Sequence, residues 1–188
     1  GNHPEYERLI KTSVSESNVK KIDELSKLIG IEWFCTPMFV EAVDFLNPYV
    51  KRFKMREFDG RGLLENKSSD LVKKILETGK QVIISSNQSL ENSKFYNNSK
   101  IKWLYCVPKY PCSLEELDFS ELDKFDGFSN HCPQLMAPLS AAILGTEIIE
   151  IHITSDKTKK FIDNNVSFDY NELTEVIRLI RLSEKIKR

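Results

Sequence analysis

The segment Gln81–Ser86 reads QVIISS, a continuous apolar run that ends in two serines, and Gly79 precedes it at the end of a helical pattern. A short apolar run rich in β-branched residues is typical of a strand that is covered on both faces. Strands of this kind belong to parallel sheets, whose crossover connections place helices against each face. The segment therefore predicts an α/β protein built around a parallel sheet.

The rest of the chain repeats this unit of an apolar strand followed by a helical segment. Ser113 with Glu116 forms a capping box that opens a helix to about Lys124, and Asp169 with Glu172 caps a last amphipathic helix. Six strands are predicted, namely Ile31–Thr36, one around Phe53–Met55, Gln81–Ser86, Lys102–Val107, Gly127–Ser129 and Glu147–Ile153. Periodicity alone leaves open an open doubly wound sheet or a (β/α)8 barrel. The units form one domain, residues 1–188.

The amino-acid composition limits which binding partners and which cellular compartment are expected for the chain. The chain of 188 residues carries 27 lysines and arginines against 28 aspartates and glutamates, so no overall field recruits nucleic acid or an anionic membrane. No apolar run approaches the ~20 residues of a membrane-spanning helix, and residues 1–7 lack the features of a signal peptide. We expect a soluble cytoplasmic protein with four reduced cysteines, since none belongs to a Cys-x-x-Cys pair.

Two histidines give the clearest functional indication. His131 and His152 each follow a short apolar run, and a small-residue helical segment separates them. In a strand-helix-strand unit this spacing brings both imidazoles to the carboxyl ends of neighbouring parallel strands, where α/β proteins place their chemistry. The competing interpretation is a hydrogen-bonded structural histidine at each strand end. Cys132 adjoins His131, but no cysteine has the ligand spacing of a zinc site.

Other polar side chains follow the remaining predicted strands, and parallel strands would bring them to the same mouth. They are Cys35, Thr36, Lys54, Glu57, Ser85, Ser86, Tyr110, Ser129 and Asp156. A phosphorylated substrate with a divalent metal ion requires such a set, because lysine supplies a point charge, hydroxyls donate to phosphate oxygens and imidazoles bind the metal. An internal ion pair of Lys54 with Glu57 or Glu150 is the competing explanation for a lysine inside an apolar strand.

A series of short motifs runs in order along the chain from about Ile31 to Arg181. These motifs are Phe34–Pro37, Val43–Leu46, Phe53–Met55, Thr78–Ser85, Cys106 to Pro111, Gly127–His131, Ala142–Gly145 and Ile149–Asp156. Each motif is weak alone, whereas the ordered set is fairly specific. The set resembles the sialic acid synthase family, whose members condense phosphoenolpyruvate with an N-acylated amino sugar to form a nonulosonic acid.

The resemblance implies a (β/α)8 barrel of the TIM type, represented here by about six β/α units that correspond to strands three to eight. It implies that His131 and His152 bind Mn or Mg, and that this ion polarises the aldehyde of the open-chain sugar. Lys54 lies where the family holds phosphoenolpyruvate, together with Ser85 and Ser129. Tyr110 and Asp163 lie where the family holds the sugar. The implied catalytic residues are Lys54, Tyr110 and Asp163.

The chain also departs from the family pattern. The first two strands of the family, with a catalytic carboxylate, have no counterpart, and the small C-terminal antifreeze-like domain is not found. Glu57 replaces a phosphate-binding serine, so its charge would repel the ligand at that substrate-binding position. Three further positions differ from the family pattern. A usual asparagine is Pro108 here, a usual aspartate is Asn130, and a usual Thr-Gly pair is Ser86-Asn87. We expect a homodimer, or a partner chain that completes the barrel, because unpaired sheet edges are seldom left exposed.

Three functions are therefore compared. The first is a phosphoenolpyruvate-dependent synthase that forms a carbon–carbon bond with metal assistance. The second is a catalytically impaired relative that acts as a structural or interaction module. The third is an unrelated aldolase-type barrel, which would be favoured if Lys54 formed a Schiff base.

Overall fold

Residues 6–186 are described by a computed structural model of the chain. Its strands are β1 (Arg52–Met55), β2 (Gln81–Ser86), β3 (Ile101–Cys106), β4 (Gly127–Ser129) and β5 (Ile148–Glu150). Its α-helices are α1 (Tyr6–Lys11), α2 (Glu16–Ile29), α3 (Val40–Leu46), α4 (Glu57–Leu64), α5 (Asp70–Glu77), α6 (Met136–Ile143) and α7 (Tyr170–Ser183). None of the described helices has the length and apolar character needed to cross a membrane.

The five strands form one parallel sheet in the order β1-β2-β3-β4-β5, so each strand pairs with its neighbour in sequence. Val82 pairs with Phe53 on one side and with Ile101 on the other, which places the QVIISS strand in the interior of the sheet. The parallel sheet is a half-barrel, and the predicted α/β class of the TIM-barrel type is confirmed. All carboxyl ends of the strands meet at one edge.

The predicted strand Ile31–Thr36 is wrong. Only Cys35 makes a parallel bridge, to Phe53, and its carbonyl accepts a hydrogen bond from the Lys54 amide at 3.1 Å. Among residues 6–186 no strand lies beyond this segment, so it has a partner on one side only. Ile31 is 62% exposed as a consequence. At the opposite edge, Ile153 makes a similar bridge to Phe168 beyond β5.

Helix boundaries follow the capping chemistry. Ser15 caps α2 by accepting a hydrogen bond from the Asn18 amide, and Gly30 ends that helix with φ of 73°. Asp169 caps α7 by accepting from two backbone amides, as the capping box predicts. The helix predicted from Ser113 to Lys124 is wrong. The capping box of Ser113 and Glu116 is present, but it opens only a 3-10 turn, because Leu117 returns to an extended conformation.

Helix α4 was not expected from the sequence, because Gly60 and Gly62 lower the helical propensity of the segment. Gly60 is required by packing rather than by backbone conformation. A Cβ atom there would lie 2.3 Å from the Ile84 Cγ2 atom of β2. The close approach seats α4 directly on the sheet, and this brings its first residue, Glu57, to the carboxyl end of β1.

Two apolar clusters hold the layers together. The larger one joins β1, β2 and β3 to the helices on the outer face, and Val19 of α2, Val43 of α3 and Ile75 of α5 are fully buried in it. The smaller one surrounds Phe128 of β4 and includes Ala141 of α6. Within the described chain, no residue of either cluster is among those that line the cleft at the strand ends, so the clusters support the strand ends without occupying the mouth.

Candidate functional site

The carboxyl ends of the five strands line one open cleft of about 470 Å³. The eight residues that were given a catalytic, substrate-binding or metal-binding role from the sequence all line it, namely Lys54, Glu57, Ser85, Tyr110, Ser129, His131, His152 and Asp163. Thr36 also lines it, whereas Cys35, Ser86 and Asp156, which were expected at the same mouth, do not. Strand period explains most of this convergence, because Lys54, Ser85 and Ser129 lie at the carboxyl ends of their strands. Tyr110 and Asp163 reach the cleft from the segments that follow β3 and β5. The cleft is thus a single polar site assembled from every strand of the sheet.

Lys54 forms the centre of the cleft. Its side chain is buried, and Nζ donates to the Ser85 Oγ atom at 2.8 Å and to the Met55 carbonyl at 3.1 Å. Nζ also lies 3.4 Å from Oε2 of Glu150, which accepts a hydrogen bond from the Ser129 hydroxyl. The ion pair that the sequence left open is therefore with Glu150. One hydrogen-bonded network runs from β2 through Lys54 to β4 and β5.

Glu57 faces the cleft but does not pair with Lys54. Its two carboxylate oxygens accept hydrogen bonds from Nε and Nη2 of Arg61 at 2.9 and 2.7 Å, one turn further along α4. The charge of Glu57 still reaches the cleft. Burial raises the pKa of the Cys106 thiol to about 12, and the negative charge of Glu57 adds to that shift. The Glu57 carboxylate therefore lines the cleft with its charge partly neutralised by Arg61.

His131 is held in a defined tautomer. Its Nδ1 atom lies 2.6 Å from the Val107 carbonyl oxygen, and its Nε2 atom lies 2.7 Å from the Tyr110 hydroxyl. A carbonyl oxygen only accepts hydrogen bonds, so Nδ1 carries the proton and Nε2 accepts from the hydroxyl. Burial lowers the pKa of this imidazole, and the neighbouring His152 lowers it further, which favours the neutral ring.

His152 is oriented in the same manner. Its Nδ1 atom lies 3.3 Å from the Asn130 carbonyl oxygen, so Nε2 is again the atom turned toward a ligand. The two ring centres are 5.5 Å apart with an interplanar angle of 57°. Two imidazoles bound at ~2.1 Å to a shared ion have ring centres roughly 5 Å apart, and metal-binding histidines usually donate their other nitrogen to a carbonyl or carboxylate. The pair therefore fits two nitrogen ligands of one ion.

The protein offers no complete ligand cage around these histidines. Within residues 6–186, no group of three His, Cys, Asp or Glu side chains converges to hold a metal ion. Two neutral imidazoles alone make a weak site, so further ligands must come from water or substrate. An open site of this kind suits a metal that contacts substrate rather than one that stabilises the fold.

Tyr110 covers both histidines from the solvent side. Its ring centre lies 4.0 Å from that of His131 and 5.7 Å from that of His152. Burial raises the pKa of Tyr110 to about 12, and the negative charge of Asp163 contributes to the rise. Tyr110 is therefore a neutral hydrogen-bond donor at physiological pH. Asp163 itself lies exposed at the rim of the cleft.

Two charged residues of the cleft, Arg56 and Glu150, were not proposed as site residues from the sequence. Arg56 follows β1 directly and lines the cleft, where Nε and Nη2 donate to the two carboxylate oxygens of Asp59 at 2.6 and 2.9 Å. Glu150 appeared in the sequence only as a possible partner of Lys54. Both occupy strand ends, so the rule that located the lysine and the serines would have found them. The family resemblance implies no role for either residue, although Glu150 lies within the motif Ile149–Asp156.

A parallel α/β half-barrel with a polar site at the carboxyl ends of its strands is the arrangement of TIM-barrel proteins. Comparison with known families narrows this class. The model of the NeuB family matches residues 1–188. The chain belongs to the NeuB family.

Individual relatives are similar along most of the chain. An uncharacterized protein of Methanocaldococcus jannaschii is 31% identical over 97% of this chain, which spans 57% of that relative. The N,N'-diacetyllegionaminic acid synthase of Legionella pneumophila is 28% identical over 97% of this chain, spanning 55% of the enzyme. The chain therefore spans little more than half the length of these curated relatives.

A solved structure is similar at the level of the fold and of the sequence. The N-acetylneuraminic acid (sialic acid) synthetase of Leptospira borgpetersenii, crystallised in complex with citrate, superposes with a TM-score of 0.81. It is 25% identical, and the match covers 98% of this chain and 68% of the synthetase. The resemblance to sialic acid synthases expected from the sequence motifs is confirmed.

Proposed function

We propose that this chain is the phosphoenolpyruvate-binding and metal-binding part of a nonulosonic acid synthase. The reaction joins the methylene carbon of phosphoenolpyruvate to the aldehyde carbon of an N-acylated amino sugar, consumes a water molecule and releases inorganic phosphate together with the nonulosonic acid. The proposal rests on two features that share one cleft. Nζ of Lys54 lies 2.8 Å from Oγ of Ser85, and the ring centres of His131 and His152 are 5.5 Å apart. Membership of the family supports the same class of reaction.

Lys54 supplies the positive charge for phosphoenolpyruvate. An ammonium group binds phosphate and carboxylate as a point charge, and hydroxyls on each side add directional hydrogen bonds. Ser85 and Ser129 lie at the two ends of the network that passes through Lys54 and Glu150. Glu150 holds the lysine in the cleft while the ligand is absent. An incoming anion competes with Glu150 for the ammonium group of Lys54. This competition lowers the affinity of the cleft for the anion.

The residues fit a divalent ion held by Nε2 of His131 and Nε2 of His152. Such an ion, when bound, acts as a Lewis acid on the carbonyl oxygen of the sugar. The chain itself contributes the orientation of the rings, because the carbonyls of Val107 and Asn130 each lie against an Nδ1 atom. We assign Mn or Mg to this site because water and substrate oxygens must complete the ligand set.

The sugar side of the cleft is formed by Tyr110 and Asp163. A protonated phenol donates one hydrogen bond to a sugar oxygen, and an exposed carboxylate accepts hydrogen bonds from sugar hydroxyls. Both groups line the cleft, and the Tyr110 ring contacts both histidine rings, at 4.0 and 5.7 Å between centres. This arrangement separates an anion-binding half from a hydroxyl-binding half, as a condensation of two unlike substrates requires.

A second candidate function is favoured by one observation. Glu57 lies at the expected phosphate position with its side chain only 10% exposed, and the usual serine there would donate a hydrogen bond instead. A carboxylate at this place weakens binding of phosphoenolpyruvate even when Arg61 shares its charge. The second candidate is a catalytically impaired relative that retains the scaffold as an interaction module.

A product assay separates these candidates. The purified chain is incubated with phosphoenolpyruvate, N-acetylmannosamine and Mn²⁺, and the nonulosonic acid is measured by mass spectrometry. We expect slow formation of product by the natural chain and none by the Lys54→Met variant. Binding of phosphoenolpyruvate and Mn²⁺ without product would favour the impaired relative. Failure to bind either ligand would contradict the synthase function.

A further inference from the structure

The hydroxyl of Tyr110 is hydrogen-bonded to Nε2 of His131, which is the ring atom that would bind a metal ion. The phenol donates to Nε2 at 2.7 Å, while Nδ1 carries the proton that is directed at the Val107 carbonyl at 2.6 Å. A neutral imidazole has one in-plane lone pair, which in this tautomer is on Nε2. A hydrogen bond and a metal–nitrogen bond cannot both use that lone pair. Metal binding and the Tyr110–His131 hydrogen bond are therefore mutually exclusive.

We propose that Tyr110 is a displaceable cap on the histidine pair, whose hydroxyl lowers the affinity of the site for a divalent cation and must move aside before the cation binds. The inference rests on the metal site of the proposed function, and it adds a control of that site by a residue that the family resemblance places on the sugar side. His131 is the capped ring. Tyr110 and His152 are related by a ring contact, with their ring centres 5.7 Å apart.

The surroundings of Tyr110 allow this movement. The residue lies in the segment after β3, and its side chain is 54% exposed although its ring covers both imidazoles. A rotation toward solvent separates the hydroxyl from Nε2 without displacing a buried side chain. His131, in contrast, is 6% exposed and held by the Val107 carbonyl, so the phenol is the partner that moves.

The size of the effect follows from one neutral hydrogen bond. Removal of the hydroxyl frees Nε2 and removes the competition, so the Tyr110→Phe variant is expected to bind Mn²⁺ about fivefold more tightly, which corresponds to ~0.8–1 kcal/mol. The phenylalanine keeps the ring contacts with both imidazoles. A matched control is Tyr105→Phe in β3, because the Tyr105 hydroxyl accepts a hydrogen bond from the Asp118 amide, away from both histidines.

The test is a titration of the metal-free chain with Mn²⁺, in which free Mn²⁺ is measured by electron paramagnetic resonance. Tighter binding by Tyr110→Phe, with unchanged binding by Tyr105→Phe, is the expected result. Equal or weaker binding by Tyr110→Phe would overturn the cap while leaving the metal site in place. Absence of Mn²⁺ binding in both the natural chain and the variant would overturn the metal site and the cap together.

A second measurement tests the cap without any metal. The ¹⁵N chemical shifts of the His131 ring report which nitrogen carries the proton. We expect a protonated Nδ1 and an unprotonated, hydrogen-bonded Nε2 in the natural chain, with an Nε2 shift that changes in Tyr110→Phe. A protonated Nε2, or shifts that are identical in the two proteins, would overturn the cap even if the site binds Mn²⁺.

Discussion

Glu57 is the cleft residue whose chemistry opposes the proposed ligand most directly. An uncompensated carboxylate ~4 Å from a phosphate charge would cost on the order of 4 kcal/mol at an effective dielectric constant near 20. The bidentate contact with Arg61 divides that charge between two groups, so the actual penalty is smaller. Removal of the carboxylate also releases the guanidinium, which adds a positive charge near the cleft.

The Glu57→Ser variant is expected to bind phosphoenolpyruvate about tenfold more tightly, a gain of ~1.4 kcal/mol. Isothermal titration calorimetry measures the change directly. The control is Glu65→Ser, because Glu65 lies at the opposite end of α4 and pairs with the exposed Lys67. Unchanged affinity in Glu57→Ser would show that the phosphate does not bind beside this residue.

Residue-level prediction from sequence succeeded where position along a strand was sufficient. Most of the polar residues assigned to the mouth line the cleft, because a parallel sheet carries its strand ends to one edge. Cys35, Ser86 and Asp156 were also assigned to the mouth and do not line it. The partners of Lys54 and Glu57 were not predictable in this way. They depend on α4, whose first turn places Arg61 beside Glu57 and leaves Glu150 as the carboxylate nearest to Lys54.

At the scale of elements, β4 depends on a close approach that only glycine permits. A Cβ atom at Gly127 would lie 2.1 Å from the Ile148 carbonyl oxygen of β5 and 2.7 Å from the Leu104 side chain of β3. The strand carries Ser129 and leads directly into His131. Its position between β3 and β5 therefore sets the separation of the anion-binding and metal-binding groups.

The Gly127→Ala variant is expected to lose about 2–4 kcal/mol of stability, because neither the backbone nor the buried leucine can move away freely. Denaturant unfolding followed by circular dichroism measures the loss. Gly62→Ala is the matched control. It lies in α4 with no neighbour closer than 3.4 Å, so the gain in helical propensity should leave stability equal or slightly higher. Equal stability of both variants would contradict the packing described for β4.

Elements with strong local signals were predictable, and elements set by tertiary contact were not. The capped helices α2 and α7 and the apolar strand β2 follow from their own residues. The segment Ile31–Thr36 has strand-like residues but lacks a neighbour on its outer side in the described chain, so only Cys35 makes a bridge. Local composition cannot reveal that a second partner is missing.

At the scale of the whole molecule, the half-barrel leaves apolar surface at its two ends. Leu25, Leu28 and Ile29 of α2 are 58, 81 and 63% exposed, and Ile177 and Leu182 of α7 are about half exposed. Clustered exposed leucines and isoleucines mark interaction surfaces in soluble proteins. The sheet edges at Cys35 and β5 add unpaired backbone groups, which favour association.

We therefore predict that the purified chain forms dimers or larger oligomers, and that Leu28→Glu shifts the equilibrium toward the monomer because it introduces a charge into the apolar surface. Sedimentation velocity at several concentrations measures the shift. Lys21→Glu on the same helix changes charge without removing apolar area, so its oligomeric state should remain that of the natural chain. A natural chain that is monomeric at ~100 μM would contradict this prediction.

The central claim is that the cleft binds phosphoenolpyruvate through Lys54. Calorimetric titration of phosphoenolpyruvate into the natural chain, Lys54→Met and Lys102→Met tests it most directly. Lys102 is a suitable control because it pairs with Asp126 near the start of β3, at the opposite end of the sheet from the cleft. We predict weak binding by the natural chain and by Lys102→Met, with Kd on the order of 1 mM, and at least tenfold weaker binding by Lys54→Met. Equal affinity of all three proteins, or equal loss in both lysine variants, would contradict the claim.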